Sequence, residues 1–112
     1  DSKVYFFIGS IYLTLKKYDL AEKNLILASK LDNKNYSIFH NLGMVAQIKG
    51  DNKSAKSNFL KAIQINENIE TLSEVGKIYF EENHFCTHFL ILHKYIRNKY
   101  FRLFYHFQPL KL

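Results

Sequence analysis

The sequence contains no tryptophan and only one methionine, one proline and one cysteine. A single cysteine, Cys86, excludes an internal disulfide and makes a reducing, cytoplasmic or nuclear setting the default. Pro109 lies near the C-terminus, so no earlier helix is broken by a proline ring. No run of about 18 apolar residues is present to cross a bilayer. The short run Val4–Ile8 has no basic segment before it and does not read as a secretory signal. Gly-rich phosphate loops, paired cysteines and the His-Glu-x-x-His spacing are all missing. Those absences leave no nucleotide, cofactor or catalytic metal to expect, and the chain reads as a non-enzyme.

Acidic residues are also missing from one region. Residues 1–82 hold eleven Lys/Arg and ten Asp/Glu, whereas 83–112 hold five Lys/Arg and no acid. The overall charge of +6 is therefore a property of the last thirty residues and not of the whole chain.

What the sequence does have is a period. Gly9 and Gly43 stand 34 residues apart, and the same offset relates Ala21 to Ala55, Ala28 to Ala62, and Leu25 to Phe59. A further copy starts at Leu72-Ser73-Glu74-Val75-Gly76, with Gly76 33 residues after Gly43. A glycine inside a helix costs about 1 kcal/mol against alanine. Its return at one place in three units calls for a packing reason, and close approach of two helices supplies one. Turn signals at Lys16-Lys17-Tyr18-Asp19, Gly50-Asp51-Asn52 and Glu82-Asn83-His84 separate the helices. Asp19 and Asp51 are the expected N-terminal caps or near-caps of second helices. The spacing predicts helices over 3–15, 19–31, 36–48, 52–65, 69–82 and 85–105.

These residues resemble the tetratricopeptide repeat, a 34-residue helical hairpin with a hydrophobe–Gly pair at positions 7–8 and small residues at 20 and 27. The first unit, 1–35, matches through Tyr5, Ile8, Gly9, Tyr12, Tyr18, Ala21, Leu25 and Ala28. The second, 36–68, matches through Phe39, Leu42, Gly43, Ala46, Ala55, Phe59 and Ala62. The third, 69–85, matches through Leu72, Val75, Gly76, Tyr79 and Phe85 and then departs, with His88 and Tyr95 where small residues belong. The family's frequent proline near position 32 is replaced by Asn33 and Glu67. The resemblance implies an all-α fold, a right-handed superhelix (α-solenoid) of antiparallel hairpins with about six helices. Gly9, Tyr12, Ala21, Ala28, Gly43, Ala55, Phe59, Ala62, Gly76 and Tyr79 are its packing positions.

The resemblance also implies a non-catalytic scaffold whose concave groove, lined by the first helix of each unit, takes a peptide or partner helix. Groove positions in the first unit include Phe6, Phe7, Ser10 and Leu13. The second unit offers Ser37, His40, Asn41, Met44 and Gln47, and the third Glu70, Glu74 and Lys77. The groove is thus aromatic at its start, mixed in the middle and acidic at its end. Co-chaperone members of the family grip a terminal carboxylate with basic and amide residues, and only Asn41 matches that set. Glu70 and Glu74 stand at its basic positions and would repel the ligand, so that subclass is excluded. Two and a half repeats are near the minimum for a continuous core, which implies neighbouring repeats in a longer adaptor.

Residues 86–112 differ in composition. Phe85, Phe89, Leu92, Ile96, Tyr100, Leu103 and Phe107 form one helical stripe, with Lys94, Arg97, Lys99 and Arg102 opposite. Three readings stand beside one another: a capping helix, a basic aromatic segment on RNA or anionic membrane, and a frameshift- or intron-derived extension rich in A/T-codon residues. The second would make the chain an RNA- or membrane-associated repeat protein; a regulatory repeat region of a larger enzyme is a further alternative. His84, His88 and His93 with Cys86 lack the second ligand cluster that zinc needs, so no metal is expected. Cys86 has no partner base or electropositive site in the sequence to make it a nucleophile.

Overall fold

The computed structural model describes residues 1–82. Five α-helices fill them: α1 (Ser2–Thr14), α2 (Tyr18–Leu31), α3 (Tyr36–Ile48), α4 (Asn52–Ile65) and α5 (Ile69–Glu81). No strand occurs among the described residues. Each helix end falls within one residue of its expected place. The sixth helix expected over 85–105, the basic aromatic segment, and His84, Cys86, His88 and His93 lie outside the described residues. Asp1–Val75 forms one compact unit, and a second begins at Gly76, inside α5. The packing described next is that of the first unit.

Helices α1 and α2 form one antiparallel hairpin and α3 and α4 a second, and the hairpins stack chiefly through α2 against α3. Both hairpins close in the same way. The Leu25 side chain lies where a Cβ on Gly9 would fall, 2.8 Å from it, and the Phe59 ring would be 2.5 Å from a Cβ on Gly43. Ala21, Ala28, Ala55 and Ala62 are fully buried and let the backbones converge around these large residues. The balance favours the glycines. Each costs about 1 kcal/mol of helix propensity, whereas burying a Leu or Phe side chain contributes roughly 1.5–3 kcal/mol. Tyr12 and Leu13 pack half-buried against the core formed by Leu25, Ile38, Leu42 and Val45. In the second unit, Gly76 is half-buried and Tyr79 buried along α5.

The starts of the first helices repeat as well. Asp1 Oδ1 accepts from Lys3 N at 3.0 Å, Asn35 Oδ1 from Ser37 N at 3.0 Å, and Asn68 Oδ1 from Glu70 N at 2.8 Å. Each satisfies a helix-start N–H that has no intrahelical partner. Second helices are less uniform. Asp51 caps α4 by accepting from Ser54 N at 3.1 Å, which holds its carboxyl below the usual carboxylate range. In α2 the cap position is Lys17, which makes no side-chain bond, and Asp19 sits inside the first turn. Of the two expected places, cap or near-cap, Asp19 takes the second, inside the first turn. Asp19 instead accepts from Lys49 Nζ at 2.9 Å, with Glu22 at 3.4 Å, tying α2 to the end of α3.

Candidate functional site

The first helices α1 and α3 lie side by side, and the first turns of α5 continue the row. Between them is a cavity of about 200 Å³ lined by Phe6, Tyr36, Ser37, His40, Asn41, Asn68, Glu70 and Thr71. Its polar groups are already arranged. Asn41 Nδ2 donates to Ser10 Oγ at 3.2 Å, linking α3 to α1. His40 Nδ1 lies 2.9 Å from Thr71 Oγ1, linking α3 to α5. Thr71 is fully buried, and the hydroxyl of a buried threonine needs a partner. The His40 ring also leans on Phe59 at 5.5 Å between centroids, tilted by 57°. Partial burial pushes the His40 imidazole below its ordinary pKa, with the Glu70 and Glu74 carboxylates pulling the other way. The ring is therefore neutral near pH 7, with one nitrogen able to accept.

The expected groove residues do not all face this cavity. Phe6, His40 and Asn41 line it, and Ser10 joins through Asn41. Phe7 is exposed beside Phe6, with ring centroids 5.9 Å apart. Met44, Gln47 and Glu74 are half-buried farther along the row, and Lys77 is exposed on the later part of α5. Leu13 is half-buried and, like Phe6, packs against the core, but does not line the cavity. Three lining residues were not singled out from the sequence: Tyr36, Asn68 and Thr71. The return of Asp1, Asn35 and Asn68 at nearly the repeat period is the signal that locates Asn68. No such signal marks Thr71, whose role depends on the position of the neighbouring helix.

Among the described residues no group of His, Cys, Asp and Glu could hold a metal ion, and no helix is long and apolar enough to cross a membrane. A second depression, of about 530 Å³ and widely open, lies at the α1–α2 turn around Lys16, Lys17, Tyr18 and Lys49, where Lys49 is already paired.

Stacked antiparallel hairpins closed on Gly–large and small–small contacts define a helical-repeat protein. The family model of the tetratricopeptide repeat matches residues 2–35 and again 36–69, more than half of the chain, which therefore belongs to the tetratricopeptide repeat family. Among solved structures it resembles one described as the crystal structure of MamA, with a TM-score of 0.78 at 20% identity. The match covers 91% of this chain and 60% of that one, and it carries the fold alone. No curated protein matches the sequence. A repeat scaffold for protein interaction is the general class that family and fold support.

Proposed function

We propose that the chain binds an extended peptide or a partner helix along the row formed by α1, α3 and the start of α5, as a non-catalytic scaffold. The observation that carries this reading is the cavity lined by Asn41 and His40 together with the aromatic rings of Phe6 and Tyr36. An amide has two N–H hydrogens and a carbonyl oxygen, and Ser10 takes one hydrogen. The other hydrogen and the oxygen suit a peptide backbone. Phe7 supplies an exposed aromatic anchor next to this polar centre. Glu70 and Glu74 put negative charge at the far end, where a ligand carboxylate would be repelled. The preferred ligand is accordingly neutral or basic there.

A random peptide library displayed on phage, selected on the full chain, tests the reading. Selected peptides should lack acidic residues at one end. Their affinity should fall about tenfold, some 1.4 kcal/mol, in Phe7→Ala and in Asn41→Ala. Lys23→Ala, on the exposed outer side of α2, should leave it unchanged. Equal binding by all three variants would count against a groove site.

A further inference from the structure

The cavity between α1, α3 and the start of α5 carries charge of one sign. Of its described lining residues Glu70 alone is ionised near pH 7, and none is a lysine or arginine. Glu70 forms no ion pair among the described residues. The carboxylate of Glu74, one turn farther along α5, adds to the same field, since both acids act on His40. His40 is neutral there and does not offset them. Two aromatic rings, those of Phe6 and Tyr36, share the lining and are half-buried against the core. The volume of about 200 Å³ far exceeds the roughly 10–15 Å³ that a single water needs, so a long side chain fits. Several polar groups are already used: Asn68 Oδ1 accepts from Glu70 N and Thr71 N, and Thr71 Oγ1 meets His40 Nδ1. The Ser37 hydroxyl and the Glu70 carboxylate offer acceptors for a ligand.

We propose that this cavity receives the side chain of one arginine of the bound peptide, which rests on the groove function proposed above and names what that groove selects. A guanidinium is planar, stacks on aromatic faces and is more weakly hydrated than an ammonium. It donates from its edge while its face lies on a ring, and the cavity brings rings and acceptors into one small space. A lysine ammonium would keep more of its water and gain less from the rings. An acidic side chain would meet the carboxylates of Glu70 and Glu74. An apolar one would strip water from Glu70 and Ser37 without giving either a partner. Asn41 remains with the peptide backbone, and the cavity reads the side chain beside it. His40 reports the occupant. From α5 the carboxylates of Glu70 and Glu74 act on it, from α4 the Phe59 ring leans on it, and from α1 Phe6 shares its cavity. A guanidinium there would be a like charge to imidazolium, so arginine binding and protonation of His40 oppose each other.

The test titrates the full chain, labelled at backbone amides and histidine rings, with acetyl-Gly-Gly-Arg-Gly-Gly-amide. Two further peptides carry citrulline or lysine in place of the arginine; citrulline keeps the shape and lacks the charge. The arginine peptide is expected to saturate, to shift the amides of Ser37, Glu70 and Thr71, and to lower the His40 pKa further. The citrulline and lysine peptides should bind about tenfold or more weakly. Glu70→Gln, at an exposed position, should remove the preference for arginine over citrulline. Phe6→Leu should remove the preference for arginine over lysine, and Asn41→Ala should weaken all three peptides alike. Equal binding of the arginine and citrulline peptides, lysine bound as tightly as arginine, or shifts confined to residues outside the cavity would overturn the proposal and leave the groove standing. Free arginine bound as tightly as the peptide would overturn it too, since the site would then not belong to a peptide groove. Absence of saturable binding by the arginine peptide at millimolar concentration would also overturn it. If library-selected peptides still bind in that case, the groove survives; if none do, both fall.

Discussion

Gly43 has a hydrogen where the Phe59 ring leaves no room for a methyl group, and that contact sets how closely α3 and α4 approach. Gly43→Ala is expected to lower stability by about 1–3 kcal/mol through overpacking, read as a shift in the urea midpoint. Phe59→Leu would place at this contact the residue that the first hairpin uses beneath Gly9. The double variant Gly43→Ala/Phe59→Leu should lose less stability than the two single losses combined, since the residues share one contact. His40 makes a second prediction at this scale. Its folded pKa lies below the ordinary value of 6.5, so the unfolded chain takes up the proton first as pH falls. Stability should be level above that value and decline as pH drops from there toward the folded pKa. Thermal melts of the wild type and His40→Gln across pH 7.5 to 5 check the sign: the variant should lose less stability over that window. The glycine and alanine positions were legible in the sequence because a fixed period exposes them. The pairing of His40 with Thr71 was not, because it joins residues 31 apart through the stacking of one hairpin on the next.

Between α1 and α2 the chain turns through Lys16 and Lys17, and between α3 and α4 through Gly50 and Asp51, at the same offset of 34. Their backbones agree. Lys16 and Gly50 both have positive φ, 62° and 84°, and Lys17 N and Asp51 N donate back to Tyr12 O and Ala46 O at 2.9 Å each. Lys17 at φ −95°, ψ 77° and Asp51 at φ −92°, ψ 80° are nearly superposable. The first turn is thus built on the second turn's geometry with less suitable residues. Lys16→Gly relieves a left-handed conformation that costs a non-glycine residue about 1 kcal/mol, and Lys17→Asp supplies a missing cap worth about 1 kcal/mol. Calorimetry of Lys16→Gly/Lys17→Asp should show a melting temperature several degrees higher, and the reverse pair, Gly50→Lys/Asp51→Lys, a lower one. Helix positions were legible from turn residues and apolar spacing. Whether Asp19 is the cap or a near-cap of α2 was not legible, because an acid near a helix start looks the same in sequence at the cap or inside the first turn. The backbone hydrogen bond from Ala21 N to Lys17 O fixes the start.

For the molecule as a whole, family, fold and period agree on a tetratricopeptide-type stack, while the stack's surfaces differ in how far sequence revealed them. The aromatic start and acidic end of the row of first helices could be read by placing residues on repeat positions. The packing of half-buried Leu13 against the core could not, because its repeat position does not say how deeply its neighbours cover it. Nor could the open side of α1, since Val4, Ile8 and Ile11 look like core residues until their exposure is known. The row of α1, α3 and the start of α5 is the proposed binding face. Amide NMR spectra of the full chain, titrated with a peptide selected from the phage library, test it most directly. Binding in the groove predicts shifts concentrated at Phe7, Ser10, His40, Asn41, Met44 and Glu74. Shifts centred instead on exposed outer residues of α2 and α4, such as Lys23, Ser57 and Lys61, would contradict it.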